Sequence, residues 1–418
     1  MCDVELLGRK LRGAAWLLPL LLAWPAHGLE QGSALPGLQV FDRTMQETMH
    51  RWDIPGASLA VAKDGKLLLA KGYGWADKEK GEPMGPHTLF RMASINKTLS
   101  AVMVLKLAEE GRLNLDDPVL PILEKSVLKG ASIGDPGSRA ITVRHLLQHR
   151  AGFDREISGD PFFQRRLWQV AVRQKSEPVT CEAIVKDSLE GKLDFHPGTR
   201  VAYANTGYCM LGKIIEAVSG QSYPALVSQR ILLPSIGKAY QAGASRHSAP
   251  GETRYHPYPG EPLQRGAPGV SALPVPSPYG SFSMENMQAL GAWIATPSDV
   301  MKFFLAIDGA RGERLLSQAS VRLMLEAPVF ASGPSRAGLY YGMGVKVTID
   351  GNSLDWWHDG AQPGVQTLAL RAGQGYAWVV AFNMRPEPSK RAAFLRDIDQ
   401  ALREAATAVQ HWPQGDLF

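Results

Sequence analysis

Apolar residues recur along this chain with two different periods, which predict where strands and helices lie. Short apolar runs that favour strands occur near both ends of the chain, at residues 57–62, 67–73, 341–349, 365–371 and 377–382. The first two runs flank Asp64-Gly65, a pair that is typical of a hairpin turn. Helical periodicity instead marks residues 39–52, 95–110 and 390–408.

Strands at both ends with helices between them predict an α/β fold of the α+β type. We expect one mixed, mainly antiparallel sheet that is built from both chain ends, is flanked by helices and carries an inserted, mostly helical subdomain. The sheet region would cover about residues 37–93 and 286–408, and the helical region about 94–285, within one domain at 29–408. Residues 409–418 are expected to form a loose tail.

Two segments are expected to shape any binding pocket. The loop at 240–282 is rich in proline, and a loop of that length in a compact protein is either functional or partly disordered. The second segment is the insertion around residues 154–179.

The first 28 residues have the outline of a secretory signal peptide. Basic residues precede an apolar stretch at 14–26, and Ala26 and Gly28 offer the small side chains that a signal peptidase reads. A short buried helix or a membrane anchor is the alternative. We expect an exported protein, periplasmic or secreted. The apolar stretch is too short to span a bilayer and no other stretch approaches that length, so no transmembrane segment is expected in the mature chain.

Charge and cysteine content narrow the choice of partners. The formal charge is +5 over 418 residues, and no basic run carries interleaved aromatic residues, so nucleic-acid binding is not expected. A small-molecule or peptide substrate fits better, and the oligomeric state stays open. Cys181 and Cys209 remain after export, and we expect both to be unpaired, since two cysteines do not make a disulfide framework. A disulfide between them in an oxidising compartment is the alternative.

The run Ser94-Ile95-Asn96-Lys97 is the first candidate for chemistry. A serine hydroxyl needs a neighbour to take its proton, and positions i and i+3 share one face of a helix, so Lys97 would sit over Ser94. The free N–H groups at a helix N-terminus would also stabilise an oxyanion. The same spacing in Ser235-Ile236-Gly237-Lys238 has no apolar helix behind it and is treated as coincidence.

Two further short motifs have compatible chemistry. In Tyr203-Ala204-Asn205, the tyrosine, with a pKa lowered by nearby lysine charge, would act as base and then as acid, while the asparagine orients the lysine and holds a substrate carbonyl. In the run His358-Asp359-Gly360-Ala361, a small residue on an edge strand lets substrate approach, and the next N–H completes an oxyanion hole. Simple turns are the alternative for both motifs.

The order and setting of these motifs resemble the serine β-lactamase and penicillin-binding-protein superfamily, in its class C-like branch. That branch includes β-lactamases, D-alanyl-D-alanine carboxypeptidases, D-aminopeptidases and family VIII carboxylesterases. The likeness covers nearly the whole mature chain, and its other segments are Ile54–Ala57, Phe90–Met92, Ile141–Leu147, Pro197–Ser219, Gly291–Asp299 and Asn383.

The resemblance implies a covalent acyl-enzyme mechanism without a cofactor or metal. Ser94 would attack a carbonyl, and Lys97 and Tyr203 would share the proton transfers, with the first base left open. Asn205, His358 and Gly360 would position the substrate. The backbone N–H groups of Ser94 and Ala361 would bind the oxyanion.

One departure from the resemblance bears on the substrate. Class C β-lactamases carry Lys-Thr-Gly where this chain has His358-Asp359-Gly360. The change removes a fixed positive charge and adds a carboxylate that would repel a substrate carboxylate if it faced inward. We therefore favour a carboxylesterase or a D-amino-acid peptidase over a true class C-like β-lactamase. A non-turnover penicillin-binding sensor or scaffold is the alternative of a different class.

His145 and His149 have the i, i+4 spacing of a zinc-binding pair. The Glu of a His-Glu-x-x-His motif is missing and no third ligand is evident, so a structural pair at a helix end is expected.

Overall fold

The computed structural model describes residues 29–238, 240–330, 333–334, 338–351 and 353–418. The expected signal peptide, residues 1–28, lies outside these ranges. Within the described ranges, no helix is both long and apolar enough to cross a bilayer.

A nine-stranded antiparallel sheet forms the centre of the molecule. The strands of the described residues are β1 (Glu30–Ala34), β2 (Gly56–Lys63), β3 (Lys66–Asp77), β4 (Glu82–Pro83), β5 (Phe90–Arg91), β6 (Gln241–Ala242), β7 (Trp293–Ala295), β8 (Val329–Phe330), β9 (Gly333–Pro334), β10 (Leu339–Tyr341), β11 (Lys346–Asp350), β12 (Ser353–Gln362), β13 (Val365–Arg371) and β14 (Tyr376–Phe382). Their order in the large sheet is β1-β3-β2-β14-β13-β12-β11-β10, and β4 extends β3. Because β2 pairs with β14, the two chain ends build one sheet, which confirms the predicted fold class.

Helices cover both faces of the sheet. They are α1 (Gln39–Arg51), α2 (Asn96–Glu109), α3 (Leu120–Glu124), α4 (Val143–Leu147), α5 (Gln164–Gln174), α6 (Cys181–Glu190), α7 (Asn205–Ser219), α8 (Tyr223–Val227), α9 (Leu233–Ile236), α10 (Pro297–Ile307), α11 (Gln318–Met324) and α12 (Arg391–Ala408). Helices α2 to α9 follow one another between β5 and β6, and they form the inserted helical region.

Alternation along the central strands divides the core into two layers. Successive side chains of a strand point to opposite faces, so Val379 of β14 packs towards α2 and α10, whereas Val380 packs towards α1 and α12. Full burial of each such side chain contributes roughly 1.5–3 kcal/mol. A sheet covered on both faces provides a rigid support for residues at the ends and edges of its strands.

The predicted strand at 341–349 is wrong in its first half. Strand β10 ends at Tyr341 and β11 begins at Lys346, and a turn separates the two. Gly344 has a φ of +78°, the left-handed region that glycine adopts readily, and the Gly342 N–H donates to the Val345 carbonyl. The turn places Tyr341 and Lys346 side by side along one edge of the site described below.

The expectation of unpaired cysteines is also wrong. Cys181 and Cys209 form a disulfide that joins the start of α6 to α7, with their Cα atoms 5.9 Å apart. Only the packing of the two helices brings these residues together. The segment 409–418 likewise makes contacts that a loose tail would lack, because the Leu417 N–H donates to the Leu67 carbonyl and Asp416 pairs with Arg311.

Candidate active site

Ser94 lies in a short 3-10 turn, Ala93–Ile95, that leads directly into α2. Ala93 has a φ of 45°, a left-handed conformation that a residue with a side chain rarely adopts. Neighbouring strands hold this backbone in place, because the Met92 N–H donates to the Trp293 carbonyl and the Met92 carbonyl accepts from Thr367. Local strain of this kind persists where the surrounding structure fixes it, and it often lies at active sites.

The side chains of Ser94, Lys97 and Tyr203 meet at one point. Ser94 Oγ lies 3.0 Å from Lys97 Nζ and 2.8 Å from the hydroxyl oxygen of Tyr203. Lys97 Nζ also donates to the Leu290 carbonyl at 3.2 Å, which fixes the amine over the serine. Three side chains proposed from two distant motifs are therefore in direct contact.

Lys97 sits in an environment that favours its neutral amine. Its side chain is fully buried, and this burial lowers the pKa from 10.5 to about 7. The charge of Arg155 lowers the pKa further, whereas the carboxylates of Asp160 and Asp359 partly oppose the change. A substantial fraction of neutral amine is therefore present near pH 7.

The expectation of a lowered Tyr203 pKa is wrong. Burial raises the pKa of the Tyr203 phenol well above 10, and the negative charge of Asp359 adds to this effect. Lys97 supplies little opposing charge when it is neutral. The ring is held by the His149 ring, with centroids 4.2 Å apart, and by the Arg155 guanidinium, 4.9 Å from the ring centroid.

Asn205 begins α7 and is buried beside the cleft. We expected its amide to orient Lys97, but Nδ2 donates instead to Asp160 at 2.7 Å. The backbone N–H of Phe162 also donates to this carboxylate. Asp160 belongs to the insertion at 154–179 and to no motif, so sequence patterns gave no signal of its role.

Gly360 allows β12 to approach the nucleophile turn closely. A Cβ at this position would lie 2.3 Å from Thr367 Oγ1 and 2.4 Å from the Met92 carbonyl oxygen, closer than real atoms come. Among the described residues, the part of β12 after Trp357 pairs only with β13. Its other edge is therefore open, and Ala361 lies with Ser94 in the wall of the same cleft.

His358 is buried and neutral. Its Nδ1 lies 2.6 Å from the Asp359 carbonyl, which can only accept, so this nitrogen carries the proton. The Tyr341 hydroxyl then donates to Nε2 at 2.9 Å. Burial lowers the pKa of His358 to about 3, so the imidazole offers no positive charge to a substrate.

The cleft that holds Ser94 has a volume of about 770 Å³. Its wall is built by the insertion at 154–179, the long loop at 240–282, β11, β12 and the start of α12. The charged residues of the wall are Arg155, Glu156, Asp160, Glu261, Lys346, Asp359, Arg385 and Arg391. Asp359 forms ion pairs with both Lys346 and Arg391. The motif itself has no fixed positive charge, as expected, but cations from β11 and α12 lie beside it in the cleft.

Comparisons with known proteins agree with this geometry. The family model described as Beta-lactamase matches residues 41–402, which is most of the chain. This chain belongs to the β-lactamase family. That family is one of serine hydrolases and penicillin-binding proteins.

Curated relatives in the β-lactamase family match part of this chain. Protein flp of Staphylococcus aureus strain MW2 is 31% identical over 274 residues, covering 63% of this chain and 50% of that protein. A probable fimbrial assembly protein FimD, serogroup H1, of Dichelobacter nodosus is 35% identical over 185 residues, covering 44% and 42%. The chain thus spans about half the length of the curated relatives it matches.

Solved structures with the same fold cover more of the chain. An octameric penicillin-binding protein homologue from Pyrococcus abyssi has a TM-score of 0.65 and 25% identity, covering 87% of this chain and 76% of its own. A D-amino acid amidase from Ochrobactrum anthropi SV3 has a TM-score of 0.68 and 24% identity, covering 89% and 99%. At this level of identity, the likeness to the amidase shows that the two chains share a fold.

The second Ser-x-x-Lys match and the histidine pair have structural roles. Ser235 donates to the Ile231 carbonyl at the end of a helix, and Lys238 pairs with Asp299. His145 accepts from the Thr142 N–H in a helix cap, and His149 accepts from the Ala204 N–H. No cluster of three metal-binding side chains occurs within the described residues.

The long loop is anchored by a residue that no motif marked. Arg91 of β5 is fully buried, and it donates to the carbonyls of Ala244 and Pro278 at the two ends of the loop. Its guanidinium also pairs with the buried Glu252 within the loop. Because Ser94 follows only three residues later, the same strand fixes the loop and the nucleophile.

Proposed function

We propose that this chain is a serine hydrolase that forms a covalent acyl-enzyme on Ser94 and releases it with water. The contact of Ser94 Oγ with both Lys97 Nζ and the Tyr203 hydroxyl carries the proposal. A nucleophile activated by an adjacent base is the arrangement that acyl transfer requires. The substrate is an ester or amide, as for a carboxylesterase or a D-amino-acid peptidase.

Lys97 is the first base. Near pH 7 a large fraction of its amine is neutral, so it accepts the Ser94 proton while Oγ forms a bond to the substrate carbonyl carbon. Tyr203, whose pKa is raised, keeps its proton and donates it to the leaving oxygen or nitrogen as that bond breaks. Water then attacks the acyl carbon and gives a proton to the Tyr203 phenolate, while the bond between that carbon and Ser94 Oγ breaks. Lys97 returns its proton to Oγ, so all three groups regain their starting state.

The developing oxyanion is bound by the backbone N–H groups of Ser94 and Ala361. Ser94 stands at the beginning of the helical segment that continues into α2, where N–H groups lack helical partners. Gly360 keeps β12 close enough for the second donor. Loss of one such donor costs about 10²–10³ in rate in other hydrolases.

Uncharged substrates are favoured over carboxylate-bearing ones, which ranks β-lactam hydrolysis below ester and amide hydrolysis. His358 is neutral, and the two cations near it already pair with Asp359. The fold shared with a D-amino acid amidase makes D-amino-acid amides suitable test substrates.

We also propose export to the periplasm or the medium. Residues 1–28 have the signal-peptide pattern, and the Cys181–Cys209 disulfide suits an oxidising compartment. N-terminal sequencing of protein recovered outside the cytoplasm should begin close to residue 29. Protein that stays in the cytoplasm with Met1 intact would contradict this proposal.

A side-by-side kinetic assay tests the proposed function. The substrates are p-nitrophenyl butyrate, D-alanine p-nitroanilide and a chromogenic cephalosporin. We expect turnover of the first or second to exceed that of the third. Ser94→Ala should abolish turnover, whereas the control Ser235→Ala, at the chance match to the motif, should retain it.

Three outcomes would contradict parts of this proposal. Unchanged turnover by Ser94→Ala would exclude the nucleophile. Much faster turnover of the cephalosporin would point to the class C-like β-lactamase alternative. A Ser94 adduct that persists without product release would point to the sensor alternative.

A further inference from the structure

Asp359 is a charged residue in the cleft that takes no part in the proposed proton transfers. It lies on β12 between His358 and Gly360, and only 4% of it is exposed. Each carboxylate oxygen has its own cation: Oδ1 pairs with Lys346 Nζ and Oδ2 with Arg391 Nη2. All three side chains contribute to the wall of the cleft that contains Ser94.

The two cations are held by contacts that do not depend on Asp359. Lys346 Nζ lies 4.5 Å from the ring centroid of Trp357, within the range of a cation–π contact. Arg391 Nε donates to the Gln366 side chain at 2.9 Å, and Gln366 in turn donates to the Gly360 carbonyl at 2.7 Å. An anion-binding pair is thus attached to the strand that carries Ala361.

If the Asp359 carboxylate were absent, a substrate carboxylate could reach the same two cations from the cleft. The Lys346 and Arg391 side chains are 28% and 30% exposed, whereas the Asp359 side chain is 4% exposed. Two positive charges face one negative charge, so the cluster carries a net charge of +1. Although burial acts to raise it, the pKa of Asp359 is lowered by Lys346 and Arg391, so its charge is present throughout the neutral range.

We propose that Asp359 occupies, with its own carboxylate, the place where Lys346 and Arg391 would otherwise bind a substrate carboxylate. Asp359 is thereby a specificity-determining residue that removes the advantage of carboxylate-bearing substrates and leaves the cleft open to uncharged esters and amides. This inference rests on the proposed hydrolase function at Ser94.

The test uses pairs of substrates that differ by one carboxylate. On the acyl side, p-nitrophenyl hemisuccinate is compared with p-nitrophenyl butyrate, and on the leaving side, 3-carboxyphenyl butyrate with phenyl butyrate. The measured quantity is the ratio of kcat/KM within each pair. Asp359→Asn removes one negative charge and releases the cations, so we expect the ratio to rise about tenfold in at least one pair, the scale of one charged hydrogen bond.

Two matched variants separate this effect from general damage. Asp187→Asn removes a carboxylate that likewise pairs with two cations, Arg166 and Arg173, but does not line this cleft, so the ratios should stay at their wild-type values. Arg391→Gln removes a cation and leaves Asp359 in place, so the ratio should fall several-fold below the wild type. The gain from Asp359→Asn should also diminish in high salt, because salt screens partly exposed charges.

The inference is overturned if Asp359→Asn leaves both ratios unchanged, or if the wild type already prefers the carboxylate member of a pair by tenfold. Should Asp359→Asn fail to fold, an unchanged ratio in Arg391→Gln would overturn it equally. If the wild type hydrolyses none of the four esters and Ser94 is never acylated, the proposed hydrolase function itself is refuted. Ester hydrolysis at Ser94 with unchanged ratios would refute the role of Asp359 alone.

Discussion

Replacing Lys97 with methionine should stabilise the protein while abolishing activity. Lys97 is fully buried, and its pKa falls from 10.5 to about 7. Near pH 7 the unfolded chain keeps this lysine protonated at little cost, whereas the folded chain does not, and the difference amounts to about 4 kcal/mol. Methionine loses contacts with Ser94 Oγ and the Leu290 carbonyl, worth about 1 kcal/mol each, so a net gain of about 2 kcal/mol remains.

The sign of the pH dependence makes this prediction specific. Between pH 7 and 10.5 the unfolded state of the wild type binds more protons than the folded state, so wild-type stability rises with pH. Lys97→Met lacks this titration, and its advantage should shrink as pH rises through that window. Urea unfolding of both proteins at pH 7 and pH 9.5 measures the difference in the free energy of unfolding.

Lys106→Met on the same helix is the matched control. Lys106 Nζ donates to the Leu315 carbonyl from a partly exposed position, so its removal should change stability by no more than about 1 kcal/mol. If Lys97→Met is no more stable than the wild type at pH 7, or if its advantage is equal at both pH values, then the amine is not held neutral by burial and cannot serve as proposed.

Three other substitutions test separate parts of the site. Tyr203→Phe keeps the ring packing but removes the acid, so kcat in steady-state kinetics should fall about 10²–10⁴-fold with little change in KM. An unchanged kcat would exclude Tyr203 as the acid that protonates the leaving group. Gly360→Ala places a Cβ 2.4 Å from the Met92 carbonyl oxygen and should lower kcat by about 10²-fold through the displaced oxyanion hole; normal kcat in the folded variant would contradict this. Glu252→Gln leaves the buried Arg91 without its counter-charge, so the free energy of unfolding measured by urea titration should fall by about 3–5 kcal/mol. A loss below about 1 kcal/mol would mean that this pair does not anchor the loop.

Local patterns were sufficient to predict the fold class and the contact between Ser94 and Lys97. The strand pattern at 57–62 and 377–382 indicated β2 and β14, which pair with each other in the sheet. The spacing of Ser94 and Lys97 placed them on one face because helical geometry is fixed within a few residues. Only the resemblance to a known family predicted that Tyr203 lies beside Ser94 and Lys97, since no periodicity relates Ser94 to a residue 109 positions away.

Features that depend on tertiary packing were not predictable from those patterns. Burial sets the direction of the Tyr203 pKa, and it arises from rings such as that of His149, which comes from another segment. Asp160 and Arg391 reach the cleft from the insertion at 154–179 and from the start of α12, and nothing in the sequence marks them as neighbours of Ser94. The pairing of Cys181 with Cys209 likewise depends on how two helices pack.

Mass spectrometry of the protein quenched during turnover of p-nitrophenyl butyrate tests the central claim most directly. We predict a single transient butyryl group, mapped by proteolysis to the peptide that contains Ser94, present in the wild type and absent in Ser94→Ala. A butyryl group on another residue, or full turnover by Ser94→Ala, would contradict the role of Ser94 as nucleophile.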